Sequence, residues 1–400
     1  MIDYNDAIKK ILSKTKPLSS ERVPLNKCLG RILALNIKAQ EHIPPFRKAT
    51  MDGYAVRSRD LISSSQVEGV ELTVIDDVPA GKVCKKELKP GTAIRIMTGA
   101  VLPEAADAVV MVEDTERRGQ KVLIRRKVQP GDNIGLPGED VQKGERILEK
   151  GTRIGGAEMG MLSALGLKTI EVSRKPVVAI ISTGDEIAEP GANIKPGQIR
   201  NSNGYALWGL AEECGAEVKY LGIARDEKSS LGLKIQQAKD ADILVLTGGV
   251  SVGEYDLVKD QLKSFGVEPV FWKARIKPGK PIFFGKKGKQ LVFGLPGNPA
   301  SAMVTFHLFV RPAIDKMLGK KQIGLVKGKA ILMEDLVVKT GRTHFLRGII
   351  DRTEAVLKVK PFPVQKSGVL KSMVKSNVLI VIPSEIANVK KGEEVEVFFL

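Results

Sequence analysis

Apolar residues in the middle of the chain come in short unbroken runs set between loops and helical stretches. The runs 176–182, 217–223, 243–246 and 291–295 predict strands, and 203–214, 229–238, 255–265 and 300–318 predict helices. Runs without polar alternation suit strands buried on both faces, and strand–helix alternation argues for a parallel sheet covered by helices on either side. The flanking patterns differ. Residues 1–44 read as mainly helical, with Tyr4, Ala7, Ile8 and Ile11 at helical spacing and Ile43-Pro44-Pro45 as the stop. From Lys48 to about Gly138, short runs at 69–75, 92–97, 108–112 and 121–125 predict an all-β module. A further helix is expected at 157–164, so the β module reads as an insertion into a discontinuous first domain. The tail returns to β at 330–338, 345–350, 355–359, 378–382 and 394–399, which predicts a small barrel or sandwich. The expected fold is multidomain, α/β plus β. It has a central doubly wound α/β domain (175–320), an inserted β-rich domain (45–138), a discontinuous domain (1–44 with 139–174) and a C-terminal small β-barrel (321–400).

The chain has 400 residues, 43% apolar and 27% charged, an ordinary globular balance spread over more than one core. No apolar run approaches the roughly 18 residues of a membrane span, and the first residues read as an amphipathic helix rather than a signal peptide. Cys28, Cys84 and Cys214 are distant and lack C-x-x-C spacing, so a reduced, cytoplasmic protein is expected. Besides them only His42, His307 and His344 are present, which argues against a dedicated zinc site. The formal charge of +17 fits either an anionic partner or a lysine-rich solvated surface. The lysines form no long basic block and few aromatics accompany them, so neither nucleic acid nor membrane is expected as a partner.

Chemistry gathers at the expected strand ends, where ligands bind in open α/β sheets. Ser182-Thr183-Gly184-Asp185-Glu186 follows the first strand, and Arg225-Asp226 follows the second. The third enters a loop carrying Gly248, Gly249, Ser251 and Gly253, then Glu254 and Asp256. The fourth enters Pro296-Gly297-Asn298-Pro299. The glycine loop matches neither the P-loop nor the dinucleotide fingerprint. A tight turn and a phosphate cradle both remain open for it. Asn298 and Pro299 suit a helix cap and first turn, and such a helix start also attracts anions. Carboxylates converging here would repel one another unless a cation sat between them, and Mg²⁺ with phosphate oxygens suits that place. Lys273, Arg275, Lys277 and Lys280 stand within eight residues, turned by Pro278-Gly279, and suit either a surface loop or a tetrahedral oxyanion.

Ordered motifs along the whole chain resemble the molybdopterin molybdenumtransferase (MoeA/gephyrin E-domain) family. They are Thr50-Met51-Asp52-Gly53-Tyr54-Ala55-Val56, Arg95-Ile96-Met97-Thr98-Gly99-Ala100, Gly138-Glu139-Asp140, 182–186, 247–253, 276–281 and 294–299. The resemblance implies an elongated homodimer with a molybdopterin-binding α/β domain and a linker or dimerisation domain. It implies insertion of molybdate (or tungstate) into adenylylated molybdopterin with release of AMP and a divalent cation. A molybdopterin adenylyltransferase would be the upstream pathway partner. By the same resemblance, Asp52 and Thr98 face the partner subunit's pocket, and Glu186, Asp226 and Asp256 surround nucleotide, pterin and metal. Lys277 and Lys280 are expected to act in catalysis. Ser182, Gly184, Gly248, Gly249, Ser251, Gly253, Lys273, Pro296, Gly297, Asn298, Pro299, Arg347 and Ser367 are expected to bind cofactor or oxyanion.

Three departures stand out. Ala49-Thr50 replaces the usual Ser-Ala, Asn201 stands where Asp is frequent, and Gly135 replaces an Arg whose role falls to Arg146, Arg153 or no residue. Two alternatives are a molybdopterin adenylyltransferase, which typically lacks the outer modules, and a non-catalytic scaffold of the same fold.

Overall fold

The computed structural model describes residues 1–249, 255–351 and 356–400, apart from the side chains of residues 255–257 and 351. Ser251, Gly253 and Glu254, and the side chain of Asp256, lie outside the described residues. The chain divides into two compact units. One comprises Met1–Leu35, Lys150–Gly155 and Thr169–Leu400, and the other Asn36–Glu149 and Gly156–Lys168.

The first unit is built on a six-stranded sheet. Its order is Glu217–Ala224, Val177–Thr183, Ile243–Thr247, Gln290–Leu295, Phe283–Lys287 and Glu268–Trp272. The first four strands are parallel; Phe283–Lys287 runs against them, and Glu268–Trp272 pairs antiparallel with Phe283–Lys287. Every residue of Ile243–Thr247 is buried, as an unbroken apolar run requires. Successive side chains point to opposite faces, which divides each run between two cores. Val178, Ile180, Val245 and Phe293 face one core, with Leu207 and Ala211 of the helix Ser202–Glu213. Ala179, Ile181, Leu244, Leu246 and Val292 face the other, with Leu231, Ile235, Val258 and Leu262 of the helices Lys228–Gln237 and Tyr255–Ser264.

The antiparallel edge departs from the expected all-parallel sheet. Pro269, Lys286 and Lys287 interrupt apolar periodicity there, and pairing of Phe284 with Phe293 holds the strand in place. The long helix expected at 300–318 is also modified. Pro299–Thr305 and Arg311–Met317 flank a π-turn at Phe306–Val310. Pro312 has no N–H to offer the carbonyl four residues back, and the Arg311 N–H bonds Phe306 O, five back. The first 44 residues are less helical than their spacing indicates. Tyr4–Lys14 is the α-helix, whereas Ser20–Pro24 is a strand paired with Thr169–Ser173, beyond the helix-breaking Pro17. Ala7 and Ile11 of the helix join the core that contains Phe309 and Phe345.

The tail closes a five-stranded barrel. Thr343–Asp351, Lys358–Pro361, Lys327–Leu332, Glu394–Phe399 and Val378–Ile382 pair in turn, and the last returns to the first. Alternate residues divide again. Leu346, Ile380 and Val397 fill the barrel, while Phe345, Leu379, Val381 and Phe398 enter the α/β core. Ile276–Lys277 adds a parallel pairing to Thr343 and His344, which anchors the basic segment to this barrel.

The second unit carries a six-stranded sheet in the order Ala108–Met111, Gly53–Val56, Thr92–Ile96, Val70–Val78, Lys121–Ile124 and Thr115–Arg118. All of Gly53–Val56 is buried, and a side chain at Gly53 would collide with Val110 O. The expected helix is present as Gly156–Ala164.

His307, in the π-turn, is 6% exposed, and burial with the nearby Arg311 pushes its imidazole down from 6.5 to about 3. His344 moves the same way, chiefly through burial. The unfolded chain therefore takes up protons that the folded one refuses. Their contribution to stability is intact above about pH 6.5 and drains as pH falls, for His307 down to about pH 3, by at most about 1.4 kcal/mol per pH unit for each histidine. Urea midpoints measured from pH 7 down to 5 should fall, and His307→Leu should flatten that slope; an equal slope in the variant would contradict the assignment.

Candidate active site

The glycine loop begins where the central strand ends. Gly248 and Gly249 have φ of +92° and +62° and cross the end of the neighbouring strand. A Cβ at Gly248 would strike Thr183 O, and one at Gly249 would lie 2.8 Å from Thr183 Oγ1. Glycine is thus required by both conformation and space. The second loop lies alongside. Gly248 N donates to Leu295 O at 3.3 Å, Thr247 Oγ1 donates to Pro296 O at 3.1 Å, and Asn203 Nδ2 donates to Gly297 O at 2.8 Å. The two expected walls, 248–249 and 296–298, are therefore brought together.

On the neighbouring strand ends the acids gather. Asp226 N donates to Asp185 Oδ1 at 3.3 Å, and Arg225 Nη1 donates to Asp185 O at 2.9 Å. Gly184 has φ +142°, and a Cβ there would lie 2.5 Å from Glu186 Oε2. Burial, then the charges of Asp185 and Glu186, raise the Asp226 carboxyl above its ordinary value. Hard carboxylate oxygens of this kind suit Mg²⁺. Among the described residues, however, no three potential ligands are grouped closely enough to define a metal site. Ser182 is fully buried and donates to Asn201 Oδ1, which also caps the helix start by accepting from Gly204 N. Asn201 Nδ2 in turn donates to Tyr220 OH, so this asparagine is occupied within the fold.

The basic segment and the barrel enclose an open cleft of about 740 Å³. It is lined by Lys277, Pro278, Gly279, Lys280 and Pro281, by Pro296, Asn298 and Ser301, and by Arg342, Gln365, Lys366 and Ser367 of the tail. Four of these residues are cationic and none is a carboxylate. Gly279 has φ +98°, and a Cβ there would overlap Thr305 Cγ2 of the adjoining helix. Ser367 O accepts from Ala300 N at 3.0 Å, which ties the tail segment to the helix start after Pro299.

Two expected contacts sit elsewhere. Lys273, at φ +64°, bonds Ile282 O through its backbone N–H and is not part of the cleft lining. Arg347 is 0% exposed and lies behind the lining; its Nη2 donates to Lys366 O and its Nε to Ser372 Oγ, each at 3.1 Å. Arg342, Lys366 and Ser301 were not marked by their local sequence. Their place depends on the pairing of 276–277 with 343–344 and on the contact of Ser367 with Ala300, neither of which has a motif.

Comparison with known proteins accounts for the whole chain. Family models match residues 2–166 (MoeA N-terminal region, domain I and II), 179–316 (probable molybdopterin binding domain) and 329–400 (MoeA C-terminal region, domain IV). The molybdopterin molybdenumtransferase of Bacillus subtilis (strain 168) is 37% identical over 404 residues, covering 100% of this chain and 94% of its own. That of Staphylococcus epidermidis is 35% identical over 397 residues, covering 99% and 95%. The chain belongs to the molybdopterin molybdenumtransferase family. The crystal structure of the molybdopterin biosynthesis MoeA protein from Pyrococcus horikoshii OT3 superimposes with a TM-score of 0.85 at 37% identity, covering 100% of both chains.

In the second unit, Asp52 and Thr98 form a compact pair. Asp52 Oδ1 accepts from both the backbone N and the Oγ1 of Thr98, each at 2.7 Å. These bonds hold the exposed Asp52 carboxylate below its ordinary value, so it stays ionised. Gly135 lies against the ends of the Glu139 and Lys48 side chains. A Cβ would lie 2.8 Å from Glu139 Oε1 and 2.9 Å from Lys48 Cε. Lys48 pairs with Glu139 of the Gly138-Glu139-Asp140 motif at 3.1 Å.

Gly279→Ala should cost about 1–3 kcal/mol through forced overlap with Thr305 and an unfavourable φ. Guanidinium unfolding followed by tryptophan fluorescence would measure the loss, and an unchanged midpoint would show that the turn can yield.

Proposed function

We propose that the protein inserts molybdate (or tungstate) into adenylylated molybdopterin and releases AMP. Membership of the molybdopterin molybdenumtransferase family supports an enzyme of molybdenum cofactor biosynthesis. The observation that carries the oxyanion step is the cleft with four cations and no carboxylate. It adjoins the loops at 248–249 and 296–298, where backbone N–H groups and glycine allow phosphates to approach.

The physical obstacle is the approach of one anion to another. Fixed cations in a partly enclosed cleft lower that barrier without reorganising during the reaction. Lys277 and Lys280 hold molybdate near the two pterin sulfurs, with Ser367 across the cleft. As two sulfur–molybdenum bonds form, the two thiol protons leave with one molybdate oxygen as water. Hydrolysis of the phosphoanhydride yields AMP and a phosphate monoester, which drives the sequence forward. Glu186, Asp226 and Asp256 would hold Mg²⁺, whose charge offsets that of the phosphates. A homodimer in which Asp52 and Thr98 of one subunit face the pocket of the other, fed by a molybdopterin adenylyltransferase, completes the reading. No helix among the described residues is long and apolar enough to cross a membrane.

Single-turnover AMP release from adenylylated molybdopterin, with molybdate added, tests the assignment. Lys280→Gln and Asp256→Asn should each slow it at least about tenfold, equivalent to about 1.4 kcal/mol, while leaving the fold intact. Release that ignores molybdate, or variants that match the parent, would remove the proposal. Adenylylation of free molybdopterin by ATP would point instead to an adenylyltransferase.

A further inference from the structure

The two loops of the site lose their backbone partners where the parallel ladder ends. Pairing of the central strands stops at Thr247 with Leu295, and Gly248 N still reaches Leu295 O at 3.3 Å. Beyond that point, among the described residues, no backbone hydrogen bond joins 248–249 to 296–298. The two backbones nevertheless touch, since a Cβ on Gly297 would lie 3.5 Å from Gly248 Cα. Side chains hold them there. Thr247 Oγ1 donates to Pro296 O at 3.1 Å, and Asn203 Nδ2 donates to Gly297 O at 2.8 Å and to Thr247 Oγ1 at 3.0 Å.

The direction of these bonds follows from the groups themselves. A backbone carbonyl only accepts, so Gly297 O and Pro296 O both need donors. The Thr247 hydroxyl has one proton, which Pro296 O takes, and towards Asn203 it can only accept. Asn203 must therefore present its amide NH₂ to both partners, because a flipped amide would set oxygen against oxygen. This asparagine also stands on a rigid base. It lies in the first turn of Ser202–Glu213, whose start is capped by Asn201 accepting from Gly204 N at 3.0 Å. Asn201 is bonded in turn to Ser182 and Tyr220, on two neighbouring strands. A Cβ on Gly204 would lie 2.9 Å from both Ser182 Oγ and Tyr220 Cε2, so the helix start is seated directly on those strands.

We propose that Asn203, acting with Thr247, is a positioning residue that holds the two loops at the separation the phosphate of molybdopterin requires. Backbone donors on two loops converge on one anion only while the loops keep their spacing, and a fixed spacing removes the cost of ordering them on binding. The inference rests on the reading that these loops take that phosphate, and it assigns Asn203 no contact with the ligand.

Hydrogen exchange and molybdopterin titration of the full chain test the two halves of the proposal, with melting temperatures confirming that each variant is folded. Asn203→Leu keeps the branched shape and the charge of the side chain but removes its donors. Amide exchange over 244–249 and 291–299 should speed up several-fold, while the barrel strand at 343–350 exchanges as in the parent. Molybdopterin, followed by its own fluorescence, should bind about tenfold more weakly. Thr247→Val should weaken it similarly, and Thr247→Ser, which keeps the hydroxyl, should recover most of that loss. Combining Asn203→Leu with Thr247→Val should cost less than the product of the single losses, because their shared bond is lost only once. Parent-like exchange in the loops would overturn the brace, as would faster exchange spread evenly over the chain. Faster loop exchange with parent-like molybdopterin affinity would overturn the positioning role. So would losses that multiply in the double variant, or a Thr247→Ser protein as weak as Thr247→Val. A parent that binds no molybdopterin would defeat the inference together with the reading of the loops. A parent that binds it, yet releases no AMP from the adenylylated form with molybdate, would defeat the proposed reaction alone.

Discussion

The parallel pairing of Ile276 and Lys277 with Thr343 and His344 is the constraint on which the cleft depends. It takes a segment that leaves the antiparallel edge of the α/β sheet and fastens it to the first long strand of the barrel. Two backbone steps later Gly279 lies against Thr305, so the turn is held from a second side as well. A lysine on a free loop would spread its charge over many positions. Held between two elements, Lys277 and Lys280 project from a backbone whose course is already fixed, and ordering them on ligand binding costs only side-chain freedom.

Charge is separated along the strand ends with similar economy. Asp185, Glu186 and Asp226 crowd the outer parallel strands, where burial, and then repulsion from the other two, raises the Asp226 carboxyl. The cations collect on the opposite side, beyond the strand that ends at Leu295. Between them lie the loops at 248–249 and 296–298, which offer backbone groups and no net charge. A long ligand with anionic groups and a metal-seeking end therefore meets a gradient rather than a uniform field.

How much of this is legible in the chain depends on whether a feature is local. The unbroken runs at 176–182 and 243–246 disclose doubly covered strands because burial on both faces demands apolar residues at every step. The strand-end rule then places Gly248 beside Pro296 without any knowledge of contacts. Phe283–Lys287 is obscured by Lys286 and Lys287, which sit on an exposed end that the pattern cannot distinguish from a loop. The π-turn follows from Pro312, but only after the helix is known to continue past it. Ser182 and Arg347 show the opposite limit. Both are polar residues in or near motifs, yet the fold seals them and uses their hydrogen bonds internally. Arg342 is the converse case, an unremarked residue made important by a strand pairing that no local signal announces.

The alternation in the barrel strands has a consequence for how the molecule holds together. Phe345, Leu379, Val381 and Phe398 leave the barrel interior and enter the core shared with Phe309, Phe293 and the first helix, where the ring of Tyr4 meets that of Phe345 at 5.0 Å. The barrel is thus one wall of the α/β interior rather than a module hung from it. Neither can loosen without wetting the other, so the sides of the cleft share one cooperative unfolding event and stay in register until the whole block melts.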